Sequence, residues 1–302
     1  MEIKALRYFL AVAREENISR AAAFLHVSQP TLSKQIRAME DELGKMLFVR
    51  HSRSISLTEE GILLRNRAQD LVGMADKIEQ EFLLLDDVTG GDLYLGLAES
   101  AQIKYLARAI KACKAKYPDL HYHITSGDTE QIEEKLRKGL LDFLVLAECP
   151  DSHSYEYLEF PQADTWGLVM PENDPLARNH AITVDDLKGR PLLCSEQAWN
   201  GDVGRWAGSD FPSLRLEGTF RLSYNGSVFV KEGLGYLLTF DRLVDTSQGS
   251  GLAFRPLAPR LESKLVIAWK RYQAFTPIAK RFLGQLRETF PSSSKDPAIS
   301  VS

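Results

Sequence analysis

Between Thr58 and Asp86 the chain meets no proline, and its apolar residues keep a strict beat. Leu64, Ala68, Leu71, Ala75, Ile78, Phe82 and Leu85 fall at intervals of 4, 3, 4, 3, 4 and 3 residues. That is the a/d seam of a coiled coil, sustained for about three heptads. Thr58 supplies an N-cap, and Glu59 and Glu60 put negative charge at the positive end of the helix dipole. At 1.5 Å per residue such a helix runs ~45 Å, too long for a small N-terminal domain to cover. The pattern predicts self-association through this seam. The competing reading is an amphipathic helix packed on its own domain.

The residues before this rod form short helical patterns. Leu6, Phe9, Leu10 and Ala13 make one apolar face, and Asn17 and Ser19 offer cap chemistry for a small alanine-rich helix. His26-Val27-Ser28 is a tight turn, Ser28 an N-cap, and Pro30 sits in a first turn, where its missing N–H costs little. The next helix, residues 29–43, is expected to turn Leu32, Ile36, Met39 and Leu43 inward and to stop at Gly44. Two helices joined by a three-residue turn make helix-turn-helix geometry. The second helix fits a major groove, where Gln29, Thr31 and Ser33 can meet base edges while Lys34 and Arg37 neutralise phosphates. Residues 47–57 read as a hairpin wing carrying Arg50 and Arg53 at its tip. A net charge of -4 gives no global sign of nucleic-acid binding, so that activity has to rest on this local basic surface.

The run Ala21-Ala-Ala-Phe-Leu-His-Val-Ser-Gln-Pro-Thr-Leu-Ser-Lys-Gln-Ile-Arg, followed by Glu42-Leu-Gly-Lys-Met-Leu-Phe-Val-Arg and Leu57-Thr-Glu-Glu-Gly, resembles the LysR-type transcriptional regulators. The likeness is dense over about the first 65 residues and weaker in motif beyond them. It implies a winged helix-turn-helix that reads an inverted-repeat promoter site, with Ser28, Gln29, Pro30, Thr31, Ser33, Lys34, Arg37, Arg50 and Arg53 as the DNA-binding set. It also implies that the long helix dimerises the DNA-binding domains. Either a homodimer or a homotetramer is open, and the resemblance favours the tetramer.

From Asp92 onward the pattern changes. Strands at 93–97, 120–124 and 141–146 alternate with helices at 100–117 and 128–138, which predicts a parallel α/β sheet. A second set follows, with strands at 165–170, 192–195, 215–220 and 234–240 and helices at 184–188, 199–206 and 227–232. A late strand at 265–270 and a terminal helix at 276–290 are expected to return to the first lobe. The overall fold class is α/β: a winged helix-turn-helix, a long coiled-coil linker helix and a two-lobed module like a periplasmic-binding-protein fold. The expected domains are 1–58 for DNA binding, 59–88 for the dimerising linker and 89–302 for effector binding. Within the last, lobe I takes about 91–161 plus 268–291 and lobe II about 162–267.

In such folds ligands sit between the lobes, at strand C-terminal ends and helix N-termini. The candidates are therefore Ser100, Ala101 and Gln102 after the first strand, Asp128 and Thr129 after the second, and Ala147 after the third. Ser195, Gln197, Gly226 and Ser227 would face them from the second lobe. The resemblance supports Ser100, Thr129 and the Ser195 region. Backbone N–H groups and the Ser100 hydroxyl suit a carboxylate, so a small organic anion is the expected effector. Asp128 and Glu148 at the mouth disfavour a second anionic group. Arg205 and Arg221 are the available counter-charges; family members that bind aromatic acids often carry such an Arg. The run 231–240 departs from the family pattern, which has a proline where Thr239 stands.

Other classes lose ground on the same page. No G-x-S-x-G, P-loop, H-E-x-x-H or dinucleotide fingerprint occurs, so no enzyme and no cofactor are expected. The six histidines do not fall at metal spacing; His121 and His123 merely alternate on one strand face. Of Cys113, Cys149 and Cys194, only Cys194 lies where the family's peroxide sensors keep two cysteines, which argues against a thiol switch. No apolar run approaches the ~18 residues of a spanning helix, and no signal segment is visible, so a cytoplasmic protein is expected. The reading is a sequence-specific regulator whose effector changes the geometry of the oligomer on promoter DNA and thereby its contact with RNA polymerase. The alternative is a small-molecule-binding or enzymatic α/β protein with an N-terminal helical domain that does not bind DNA. A solute-binding protein is disfavoured by the winged domain.

Overall fold

Each N-terminal helix ends where its own sequence supplies a stop. The computed structural model describes residues 1–50, 54–83, 89–127, 129–147, 151 and 153–290, with the backbone alone at Arg50, Gln80, Glu81, Leu83, Thr129 and Glu130. Helix α1 (Ile3–Glu15) closes on Glu16 in the left-handed region, at φ 50°. Helix α2 (Ile18–Phe24) is capped by Asn17, whose side chain accepts from Arg20 N. Helix α3 (Gln29–Leu43) is capped by Ser28, which accepts from Thr31 N, and ends at Gly44 with φ 64°. Strands β1 (Phe48–Arg50) and β2 (Ile55–Leu57) pair antiparallel as the wing. Helix α4 (Glu59–Leu83) follows; the Thr58 hydroxyl accepts from Gly61 N at 2.9 Å and donates to Met46 O at 2.8 Å.

Leu6, Phe9, Leu32, Ile36 and Met39 form one core with Leu47 and Phe48. Leu43 was expected there and is instead 41% exposed, because the last turn of α3 overshoots the core before Gly44 reverses the chain. Glu40 corrects the picture in the opposite sense. It is buried and accepts from Leu47 N (2.8 Å) and Phe48 N (3.3 Å), pinning the start of the wing.

The heptad seam of α4 divides. Ala68 is fully buried, and Leu64 packs with it against the core of its own domain. These two are therefore corrected as seam residues: their face is already covered by α1. Leu71, Ile78 and Phe82 remain 47%, 47% and 71% exposed, and Ala75 is half-buried. Leu85 lies outside the described residues.

The chain splits into two compact units, Met1–Asp87 and Val88–Ser302. The second unit holds two sheets. Strands β3 (Gly90–Leu97), β4 (Asp119–Ser126) and β5 (Phe143–Leu146) run parallel, with β4 at the edge. Strand β13 (Val266–Lys270) returns antiparallel between β5 and β6 (Tyr155–Glu159). Helices α5 (Ile103–Lys116) and α11 (Pro277–Thr289) cover one face and α6 (Thr129–Arg137) the other. Alternation does the sorting: Phe143, Val145 and Ile267 face α5 and α11, whereas Leu144, Leu146 and Val266 face α6.

The other sheet has the order β11-β7-β10-β8-β9, from β7 (Asp164–Pro171), β8 (Pro191–Cys194), β9 (Arg215–Thr219), β10 (Tyr236–Phe240) and β11 (Leu252–Pro256). The short β12 (Glu262–Ser263) pairs with the start of β7. Helix α7 (Val184–Leu187), short turns that include α8 (Glu196–Ala198) and α9 (Gly204–Ala207), and α10 (Ser223–Lys231) complete the lobe. Strands β6 and β11 have no counterpart in the expected elements. The two lobes meet where Phe160 N donates to Leu265 O at 2.8 Å, so both crossing segments run side by side. Among the described residues no helix is long and apolar enough to cross a membrane, and no cluster of three or more His, Cys, Asp or Glu is placed to hold a metal.

Candidate functional site

Two surfaces carry chemistry. The first is the outer face of α3. Its buried side holds Leu32, Ile36 and Met39, which forces the remaining residues outward at helical period. Ser28, Gln29, Pro30, Thr31, Lys34 and Arg37 are exposed, and Ser33 is half-buried. Ser28 is committed to the cap and to the Thr31 hydroxyl at 2.7 Å. The Gln29 amide donates to Ser33 Oγ at 3.0 Å, which presets its rotamer on the helix surface. Neither Lys34 nor Arg37 forms an ion pair among the described residues. Gln35, one turn below Thr31, is equally exposed and was not singled out; helical period alone could have found it. Arg53 and the Arg50 side chain lie outside the description.

The second surface is a cavity of about 460 Å³ between the two lobes of the second unit. Lobe I contributes Ala98, Glu99, Gly127 and Ala147. Lobe II contributes an apolar wall of Trp166, Phe220, Leu238, Phe240 and Leu243, with Trp166 and Phe240 ring centroids 4.4 Å apart. Its polar groups are Ser195, Gln197, Ser223 and Thr239, and its charged ones Glu196, Asp202 and Arg221. Ala147, Ser195 and Gln197 are thus brought together as expected from the strand ends.

Five expected residues are not in this cavity. The Ser100 hydroxyl donates to Asp164 Oδ2 at 2.5 Å, and Gln102 Nε2 donates to Asp164 Oδ1 at 3.2 Å. The loop after β3 therefore ties lobe I to the crossover, and Ala101 and Gln102 line a separate polar cleft. Gly226 is buried, and a Cβ there would lie 2.8 Å from Leu237, while the Ser227 hydroxyl donates to Tyr224 O within its own helix. Asp128, Glu148 and the Thr129 side chain lie outside the description. Ser223, Thr239 and the aromatic wall were missed as lining residues.

Charge in the cavity differs from expectation. Arg205 is tied to Asp202 at 2.5 Å and does not line it; Arg221 does. Among the described lining residues the carboxylates Glu99, Glu196 and Asp202 outnumber that guanidinium. Burial holds the Asp164 carboxyl above the ordinary carboxylate range, although bonds from Ser100 and Gln102 pull it down. Burial likewise pushes the Cys194 thiol up to about 12, which keeps it protonated and unreactive.

Comparison with known proteins fits both surfaces. Residues 3–62 match the family described as "Bacterial regulatory helix-turn-helix protein, lysR family", and residues 86–291 match the "LysR substrate binding domain". The Hca operon transcriptional activator HcaR of Escherichia coli (strain K12) is 30% identical over 302 residues, spanning 97% of this chain and 99% of that one. A hydrogen peroxide-inducible genes activator of Dickeya chrysanthemi is 32% identical over 197 residues, 65% of this chain and 64% of its own. The crystal structure of full-length CbnR with its target DNA shares the fold with a TM-score of 0.75 at 20% identity, covering 96% of this chain and 100% of that one. The chain belongs to the LysR-type family of DNA-binding transcriptional regulators, which are not enzymes and carry a C-terminal effector-binding domain.

Proposed function

We propose that α3 reads an inverted-repeat promoter site in double-stranded DNA through Gln29, Thr31 and Ser33, with Lys34, Arg37 and the wing arginines Arg50 and Arg53 on phosphates. Residues 1–58 serve as the DNA-binding domain, 59–88 as the linker and 89–302 as the effector-binding domain of a cytoplasmic homo-oligomer. The observation that carries this reading is the exposed polar face of α3, with Lys34 and Arg37 free of ion pairs among the described residues, opposite a buried side of Leu32, Ile36 and Met39.

Exposed apolar residues on both units support an assembly larger than a dimer. One set is Leu71, Ile78 and Phe82 on α4. Further exposed apolar residues lie in the second unit: Tyr224, Val228 and Phe229 on α10, and Tyr122 and Ile124 on the edge strand β4. A homotetramer uses surfaces of both units, a homodimer of one. A small organic effector in the interlobe cavity favours one lobe closure, changes how the copies sit on promoter DNA and so alters contact with RNA polymerase.

A salt-titrated gel shift on the DNA upstream of the protein's own gene tests the reading surface. Lys34→Ala and Arg37→Ala are each expected to flatten the log–log salt slope by about 0.9, and Gln29→Ala to reduce preference for the specific site. Unaltered slopes and unaltered preference in folded variants would remove α3 from the interface.

A further inference from the structure

Helix α10 starts without a cap of its own. Leu222 holds the N-cap position and forms no side-chain cap bond, since an isobutyl group has nothing to accept with. The missing acceptor comes from across the cavity. Ser223 N, the first amide of α10 in lobe II, donates to Glu99 Oε2 at 2.7 Å, and Glu99 follows β3 in lobe I. A carboxylate at a helix start gains from both the free amide and the dipole. The Ser223 hydroxyl is held at 2.8 Å by Thr239 Oγ1, both residues being buried, and this bond keeps the Ser223 backbone fixed beneath Glu99.

This bridge occupies an amide at the cavity that an anion could otherwise use. The remaining charge in the cavity points the same way. Asp202 is satisfied by Arg205 and by the Ser263 hydroxyl at 2.6 Å. Arg221 is already engaged in an interaction of its own. Glu99 Oε1 and the Glu196 carboxylate accept no bond among the described residues. Trp166, Phe220 and Phe240 form the apolar wall, and aromatic faces attract cations as well as hydrocarbon.

We propose that Glu99 sets the effector class: the cavity takes an organic cation, an amine on an apolar body, which pairs with Glu99 while Glu99 keeps its hold on α10. Carboxylate effectors are disfavoured, because the Ser223 amide is occupied and the carboxylates of the described lining outnumber its guanidinium. This inference rests on the interlobe cavity being the effector site.

Phenethylamine and phenylacetate place opposite charges on nearly the same body. Titrated calorimetrically into the full-length protein, the amine is expected to bind at least about tenfold more tightly than the acid, the scale of a charge-assisted hydrogen bond. Glu99→Gln keeps an acceptor for Ser223 N–H and so preserves the bridge; it is expected to weaken the amine by about tenfold and erase the discrimination. Tighter binding of the acid, no binding of the amine, or amine binding indifferent to Glu99→Gln would each overturn the assignment. Gln197→Trp, a bulky change at an exposed lining position, separates this from the cavity reading. Acid binding lost in Gln197→Trp keeps the cavity and overturns only the role of Glu99. Binding that persists unchanged in a folded Gln197→Trp variant overturns the cavity itself.

Discussion

Gly61 is a single residue on which the wing and the linker helix both depend. A Cβ there would lie 2.2 Å from Leu47 O and 2.9 Å from Leu57 Cδ2. The Leu47 carbonyl is not free to retreat, because it accepts from Thr58 N at 3.0 Å, and the Leu47 amide is held by Glu40. Gly61→Ala is therefore expected to destabilise the first unit by about 1–3 kcal/mol through overpacking. Gly284 in α11 has nothing within 4 Å of its Cβ position, so Gly284→Ala is expected to gain up to ~1 kcal/mol of helix propensity. Urea unfolding of the two variants reads both signs, and equal effects would sink the argument. The same scale shows what could not be read from the chain alone. The motif Leu57-Thr-Glu-Glu-Gly was visible, but the reason for its glycine is a carbonyl fourteen residues earlier. The hydroxyl of Ser100 was visible too. Its partner Asp164 stands sixty-four residues away, and only tertiary structure tells whether a loop hydroxyl faces a ligand or a hinge.

At the scale of elements, legibility follows from how completely a segment announces its own ends. Helix α3 carries a capping serine, a first-turn proline and a terminal glycine, and the expected span 29–43 is the observed one. Strands β6 and β11 announce little. Tyr155–Glu159 is a short edge strand of mixed polarity, and Leu252–Pro256 follows a Gly/Ser-rich stretch and ends on a proline. Helix α4 exposes a different limit. Heptad period identifies an apolar stripe but not what covers it, and α1 covers the first part of this one. Among the described seam residues, Leu71, Ile78 and Phe82 remain exposed. Ile78→Glu places a charge in that remaining seam without touching the monomer core. It is expected to lower the solution mass by light scattering to that of a smaller assembly while leaving the fold's circular dichroism intact. An unchanged mass would show that this stretch of α4 does not pair.

At the scale of the whole effector-binding unit, two sheets must be joined by a crossover that both holds and yields. The order of strands and helices made the two lobes legible, and the late strand β13 returns to the first sheet as its position in the chain suggested. What order could not show is the joint itself, where a buried carboxylate, Asp164, receives Ser100 and Gln102 from the other lobe. Burial is the leading influence and raises its carboxyl above the ordinary range. The folded unit therefore holds that proton more tightly than the unfolded chain does. Stability attributable to this group falls as pH rises from the ordinary aspartate value, about 4, through the raised folded value, and is flat above it. Asp164→Asn abolishes the titration. The unfolding free energy of the variant relative to the parent is thus expected to climb with pH across the mildly acidic range and then level off. Urea midpoints from about pH 4 to neutrality would reveal that climb, and a difference that stays flat or falls would mean the joint is held by a fully ionised carboxylate.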